Sequence, residues 1–147
     1  MKRTNFLDIV IFLFVVLFIY AAMNKLMTFN EFQAQLGKSP LIMGYAKLIS
    51  YLVPAVELII STMLLMPRTL LYGLYASFFL MVTFTGYIVI ILTLSPYVPC
   101  SCGGILDSLG WTEHLIFNVG FVILAIVGIV LYNQRERRSS ESEIVLA

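Results

Sequence analysis

Four apolar runs decide what this chain can become. They cover residues 6–27, 45–66, 69–94 and 112–132. Each is long enough to cross a hydrocarbon core of about 30 Å at about 1.5 Å per residue. In a chain of 147 residues that leaves room for short connections and no second domain. Composition agrees: 61% of the residues are hydrophobic and 12% charged, with a mean hydropathy of +0.98. A soluble domain of this size carries roughly a quarter of its residues charged, so lipid has to cover most of this surface. The expected fold is an all-α membrane protein, one four-transmembrane-helix bundle over 1–147. A net charge of +1, with no basic stripe outside the tail, argues against nucleic acid as a partner.

Lys2 and Arg3 ahead of the first run also suit a signal peptide. The run is long for one, however, and "IYAAMNKLM" offers no small-x-small cleavage site, so a retained span is expected. Short flanks rich in Lys and Arg stay in the cytoplasm. Lys2, Arg3, Arg68, Arg135, Arg137 and Arg138 fall on one side of a four-span chain, while Lys38 lies on the other, with Lys25 and Lys47 near span ends. Both termini are therefore expected in the cytoplasm of an inner-membrane, multi-pass protein, with the loop 96–111 facing outward. The tail 133–147, "NQRERRSSESEIVLA", is charged and Ser-rich, and is expected to be mobile.

That outward loop, in "SPYVPCSCGGILDSLGWTEHL", holds Cys100 and Cys102, the two cysteines of the chain, and leads to Trp111 and His114. Outside the cytoplasm cysteines tend towards disulfides. Residues i and i+2 of an extended chain are about 6 to 7 Å apart, at the upper end of the disulfide range. A Cys-x-Cys bridge thus closes a small, strained ring that is easily reduced. Two other readings stand beside redox use. The cysteines can be small hydrophobes at the membrane boundary. They can also hold Cu(I) together with His114, although three ligands without paired spacing do not make a closed zinc site. No metal is expected.

His114 sits in the first turn of the fourth span, after Thr112, which is a candidate N-cap. Trp111, His114 and Asn118 are three and four residues apart, so they share one helix face running down from the loop. A cysteine held near that helix N-terminus has more thiolate, the reactive species. Interfacial anchoring is the plainer reading of Trp111.

Glu57 lies deep in the second span, where a carboxylate costs roughly 2.5 kcal/mol or more and so faces the bundle interior. Ser50, Pro54, Glu57 and Ser61 form one stripe, an inward polar seam. Lys25 ends the first span, and either snorkels to the surface or points inward. A direct Lys25–Glu57 pair looks strained, because their depths along the helices differ by over ~10 Å. Thr83 and Tyr87 share a face of the third span, where such residues also tie helices together.

"YAAMNKLMTFNEFQAQL", "VPAVELIISTMLL" and "PCSCGGILDSLGWTEHLIFNVGF" together resemble the MauE branch of the DoxX-like membrane proteins, over most of 6–132. The Cys-Ser-Cys-Gly-Gly segment with its Trp-x-x-His is the most specific part. The resemblance implies a four-helix inner-membrane protein associated with redox reactions outside the cytoplasm. The bundle is also similar to quinone-linked disulfide catalysts of the VKOR and DsbB type, but lacks their Cys-x-x-Cys and a second cysteine pair. The resulting expectation is a thiol-disulfide oxidoreductase that exchanges through Cys100 and Cys102 with a periplasmic or membrane protein partner, coupled to quinone. His114 would tune thiolate formation, Glu57 would move protons, and Lys25, Trp111, Asn118 and Tyr87 would hold the quinone. The alternative is a non-catalytic accessory or scaffold subunit whose cysteine loop docks a partner or holds metal.

Overall fold

The computed structural model describes residues 2–39, 42–94 and 110–147. Among these, all regular structure is helical: α1 (Lys2–Met27), α2 (Phe29–Lys38), a 3-10 turn at Met43–Tyr45, α3 (Ala46–Leu65), α4 (Leu70–Leu94) and α5 (Trp111–Leu146). Four stretches are long and apolar enough to cross a membrane, at Asn5–Met27, Met43–Leu65, Leu70–Leu94 and Thr112–Leu146. The four runs read from the sequence are thus four helices suited to a bilayer.

α1 packs mainly on α3 and α4 mainly on α5, while α1–α5 and α3–α4 contacts close the ring. Leu7, Val10, Phe14 and Phe18 of α1 bury against Ile60 and Leu64 of α3, Leu74 and Met81 of α4, and Ala125 of α5. Phe14 meets Phe121 edge-on, with ring centroids 5.2 Å apart, a geometry that adds to simple area burial. In lipid no hydrophobic effect pulls helices together, so close packing of small residues has to do it. Gly128 shows this: a Cβ there would stand 3.2 Å from Val10 and from Leu74. The same neighbours put the start of α1 and the far half of α5 at one end of the bundle. The other end receives the C-termini of α1 and α4 and the N-termini of α3 and α5, and so carries both attachments of the cysteine segment.

Gly73 lets α3 and α4 approach closely, since a Cβ at that position would stand 3.1 Å from both the backbone nitrogen and Cδ2 of Leu64. Leu64 can turn its side chain but not withdraw its backbone. Gly73→Val is therefore expected to lower stability by about 1–3 kcal/mol, the usual cost of overpacking. Thermal unfolding in micelles measures it, and a wild-type midpoint would show that α3 and α4 separate freely there.

Two elements of the fold depart from the sequence reading. The connection around Gly37 and Pro40 contains a helix, α2, because Phe29, Phe32 and Leu36 line up on one apolar face of a short amphipathic segment. The segment 133–147, expected to be a mobile tail, continues α5 as helix to Leu146. The reason is local. No Gly or Pro interrupts the chain there, and the span already supplies the nucleus that helix growth requires. Contacts four residues apart support it. The Tyr132 hydroxyl donates to the Glu136 carboxylate at 3.3 Å, and the Ser139 and Ser140 hydroxyls return to backbone carbonyls at 3.2 Å.

Candidate functional site

A cavity of about 270 Å³ lies inside the bundle at the end that carries the cysteine segment. Helix spacing puts its walls in place. α1 presents Leu17, Phe18, Ala21 and Lys25; α3 presents Ile49, Val53 and Glu57, one turn apart; α5 presents His114, Phe117 and Asn118. α4 contributes Phe84, Tyr87 and Ile88, and also Thr83, which is exposed, so the cavity is open on that side. α2 covers the cavity with Phe32, Gln35 and Leu36. The walls are mostly aromatic and aliphatic, with a few polar groups set among them, the usual make-up of a small-molecule site.

The strongest polar feature is an ion pair. Lys25 Nζ donates to Glu57 Oε1 at 2.8 Å, with both side chains almost completely buried. The ammonium also lies 3.5 Å from the Ala21 carbonyl, and 5.9 Å from the ring centroids of Phe32 and Phe84. Ring faces attract a desolvated cation, so two aromatic rings help to hold the ammonium in place. Glu57 Oε2 has no hydrogen-bond partner among the described residues. Ser50, Pro54 and Ser61, the rest of the polar seam, are buried with Glu57 on α3.

The Lys25–Glu57 contact corrects the expectation that their depths keep them apart. α1 does not end at the rim of the bundle. Its C-terminus lies beneath α2, with Lys25 only 6% exposed and Phe32 of α2 against it, level with the middle of α3. A lysine at that depth reaches Glu57 directly instead of snorkelling out.

Opposite this pair, Asn118 donates its amide to the His114 carbonyl at 2.8 Å and lies 2.7 Å from His114 Nδ1. With the amide as donor, Nδ1 is an acceptor and the neutral ring carries its proton on Nε2. Both side chains are buried. α5 begins two residues earlier than an N-cap at Thr112 would set it: Gly110 is its N-cap, with no side-chain cap bond. Thr112 lies inside the first turn, and Glu113 beside it complements the helix dipole.

Of the candidate site residues, Lys25, Glu57, Tyr87, His114 and Asn118 thus come together from four helices around one cavity. Cys100 and Cys102 lie outside the described residues, as does the side chain of Trp111, the first residue of α5. The sequence reading missed the aromatic covers Phe32 and Phe84. Phe32 could have been found from the apolar face Phe29–Phe32–Leu36, whereas Phe84 sits in a helix that is apolar all round and gives no such signal.

The family model described as "Methylamine utilisation protein MauE" matches residues 3–131. The chain belongs to the MauE family. No curated protein and no solved structure gives a match. The part matched to MauE includes every wall of the cavity and the cysteine segment, while the final turns of α5 lie beyond it.

Proposed function

We propose that this MauE-family protein is a redox-associated protein of the inner membrane, with both termini in the cytoplasm and the cysteine segment on the periplasmic side. In this reading Cys100 and Cys102 form a bridge that accepts two electrons from the dithiol of a protein partner. The partner gains a disulfide and the bridge becomes two thiols. A quinone then takes two electrons and two protons from those thiols, giving a quinol and restoring the bridge. The observation that supports this is the cavity, in which Lys25, Glu57, Tyr87, His114 and Asn118 meet at the bundle end where the cysteine segment is attached. Its aromatic walls suit a quinone ring, and the opening at Thr83 suits a ligand that arrives from the bilayer. Lys25 can donate to a carbonyl oxygen, and Glu57 can exchange protons with the ring. Of these five residues His114, in the first turn of α5, stands closest in sequence to the cysteines, and its Nε2–H can donate a hydrogen bond to a thiolate.

The test uses the purified chain, reduced and freed of reductant, in lipid nanodiscs without oxygen. A short-chain quinone is added, and thiols and quinol are counted. Loss of two thiols per quinol formed is the expected result. Thiols that persist in the presence of quinone would remove the oxidant from the scheme and favour the accessory role.

Topology gives a second check. The Lys and Arg distribution supports an outward cysteine segment, and on this reading a membrane-impermeant thiol reagent should label Cys100 or Cys102 in intact cells after mild reduction. Labelling that requires lysis would reverse the orientation and detach the cysteines from the oxidising compartment.

A further inference from the structure

Lys25 and Glu57 cancel each other's charge, and the Asn118 amide donor at Nδ1 suits an uncharged His114 ring. A charged ligand in this cavity would therefore bring an uncompensated charge into a low-dielectric site, which is costly. A neutral ligand would not. The Glu57 carboxylate also leaves one acceptor of the cavity unmatched among the described residues. Glu57 engages Oε1 with Lys25 at 2.8 Å, while Oε2 is buried with no hydrogen-bond partner among the described residues. A carboxylate in an ion pair only accepts hydrogen bonds, so the partner missing at Oε2 is a donor. A buried acceptor left unmatched is penalised, and a hydrogen bond to a charged group is among the stronger ones.

We propose that the cavity selects a neutral aromatic ligand bearing a hydroxyl group, which donates to Glu57 Oε2 while its ring lies among Phe32, Phe84 and Phe117. The inference rests on the quinone reading for its biological ligand, and makes the reduced form, the quinol, the tighter binder of the two. Glu57 is then the residue that discriminates between the redox states. The quinone, which carries acceptors alone, leaves Oε2 unmatched. A site of this kind holds its product, so release of quinol limits turnover when quinol accumulates in the membrane.

Three bicyclic probes of similar size separate the chemistry: 1-naphthol, naphthalene and 1,4-naphthoquinone. Binding to the full chain in nanodiscs is measured against protein-free nanodiscs of the same lipid, to subtract partitioning. The wild type is expected to bind 1-naphthol at least about tenfold more tightly than the other two, the range of a hydrogen bond to a charged acceptor. In Glu57→Gln the side chain can turn its amide N–H towards the ligand, so the naphthol preference is lost and 1,4-naphthoquinone gains. Equal affinities for 1-naphthol and naphthalene in the wild type would overturn the proposal without any variant. Tighter binding of 1,4-naphthoquinone by the wild type would also overturn it, showing that the site donates to a carbonyl. So would a naphthol preference that survives in Glu57→Gln. 1-Naphthol and naphthalene need no cysteine chemistry to bind, so the same measurements on a Cys100→Ser/Cys102→Ser protein keep the two proposals apart. A failed thiol–quinone reaction leaves these affinities unchanged, and a failed preference leaves the thiol–quinone reaction intact.

Discussion

Lys25→Met is expected to destabilise the bundle by about 3–5 kcal/mol, the usual loss when one member of a buried ion pair is removed and the other stays behind. Met keeps much of the length and apolar stem of Lys, so little packing changes. What is lost is the ammonium at 2.8 Å from Glu57, which leaves a carboxylate facing Phe32 and Phe84 with nothing to balance it. Thermal or denaturant unfolding of the purified protein in micelles measures this. Lys25→Met/Glu57→Leu removes both charges and should recover most of the loss, since an apolar replacement of a whole buried pair is often neutral. A Lys25→Met protein that unfolds at the wild-type midpoint would mean the pair contributes nothing, and that Lys25 is free to serve a ligand alone. Failure of the double variant to recover would point to lost hydrogen bonds rather than to an orphaned charge.

The largest effect on activity is expected from the cysteines. Cys100→Ser and Cys102→Ser should each reduce quinone-dependent thiol oxidation to the uncatalysed rate. In the proposed exchange a mixed disulfide would form when a partner thiolate attacks one sulfur of the bridge and displaces the other. With one sulfur replaced by oxygen, no internal bridge forms and two electrons cannot be stored. The remaining thiolate can still attack the disulfide of an oxidised partner, forming a mixed disulfide and releasing one partner thiol, but this chain has no second cysteine to resolve it. Non-reducing electrophoresis of membranes from cells carrying either single variant should then show a reductant-sensitive adduct, absent from the double variant. Activity retained by either single serine variant would exclude a Cys100–Cys102 bridge from the mechanism. Stoichiometric copper or zinc that co-purifies with the wild type and vanishes with either serine would transfer the pair to metal binding.

The four membrane helices were legible in the sequence because each needs only length and apolar composition, and 69–94 against Leu70–Leu94 shows how closely those two quantities fix a span. The site was legible where chemistry ran against its surroundings. A glutamate deep in an apolar run has to face inward, and Glu57 does. His114 and Asn118, four residues apart, have to share a face, and they meet at 2.7 Å. The rest depended on how helices stand relative to one another, which no single segment encodes. Whether Lys25 reaches Glu57 turns on how far α1 stops short of the rim, and that is set by α2 folding over it. α2 itself has only 10 residues, too few to be apparent from hydropathy, and its three apolar positions acquire meaning once there is a cavity beneath them. The long final helix escaped for a different reason: charged and serine-rich composition is shared by solvated helix and by coil, and what distinguishes them here is continuity with the span before it.

That last helix has a mechanical consequence. α5 runs for 36 residues, about 54 Å at 1.5 Å per residue, against a hydrocarbon core of about 30 Å. Roughly 20 Å of it, the exposed turns after Tyr132, stands clear of the other helices. A flexible tether would let whatever is attached at its tip sample a sphere around the anchor. A helical strut instead fixes a standoff, and any tilt of α5 within the membrane is magnified at its far end. Motion at His114, where the opposite end of the same rod meets the cavity, is therefore geometrically linked to displacement on the other face of the bilayer.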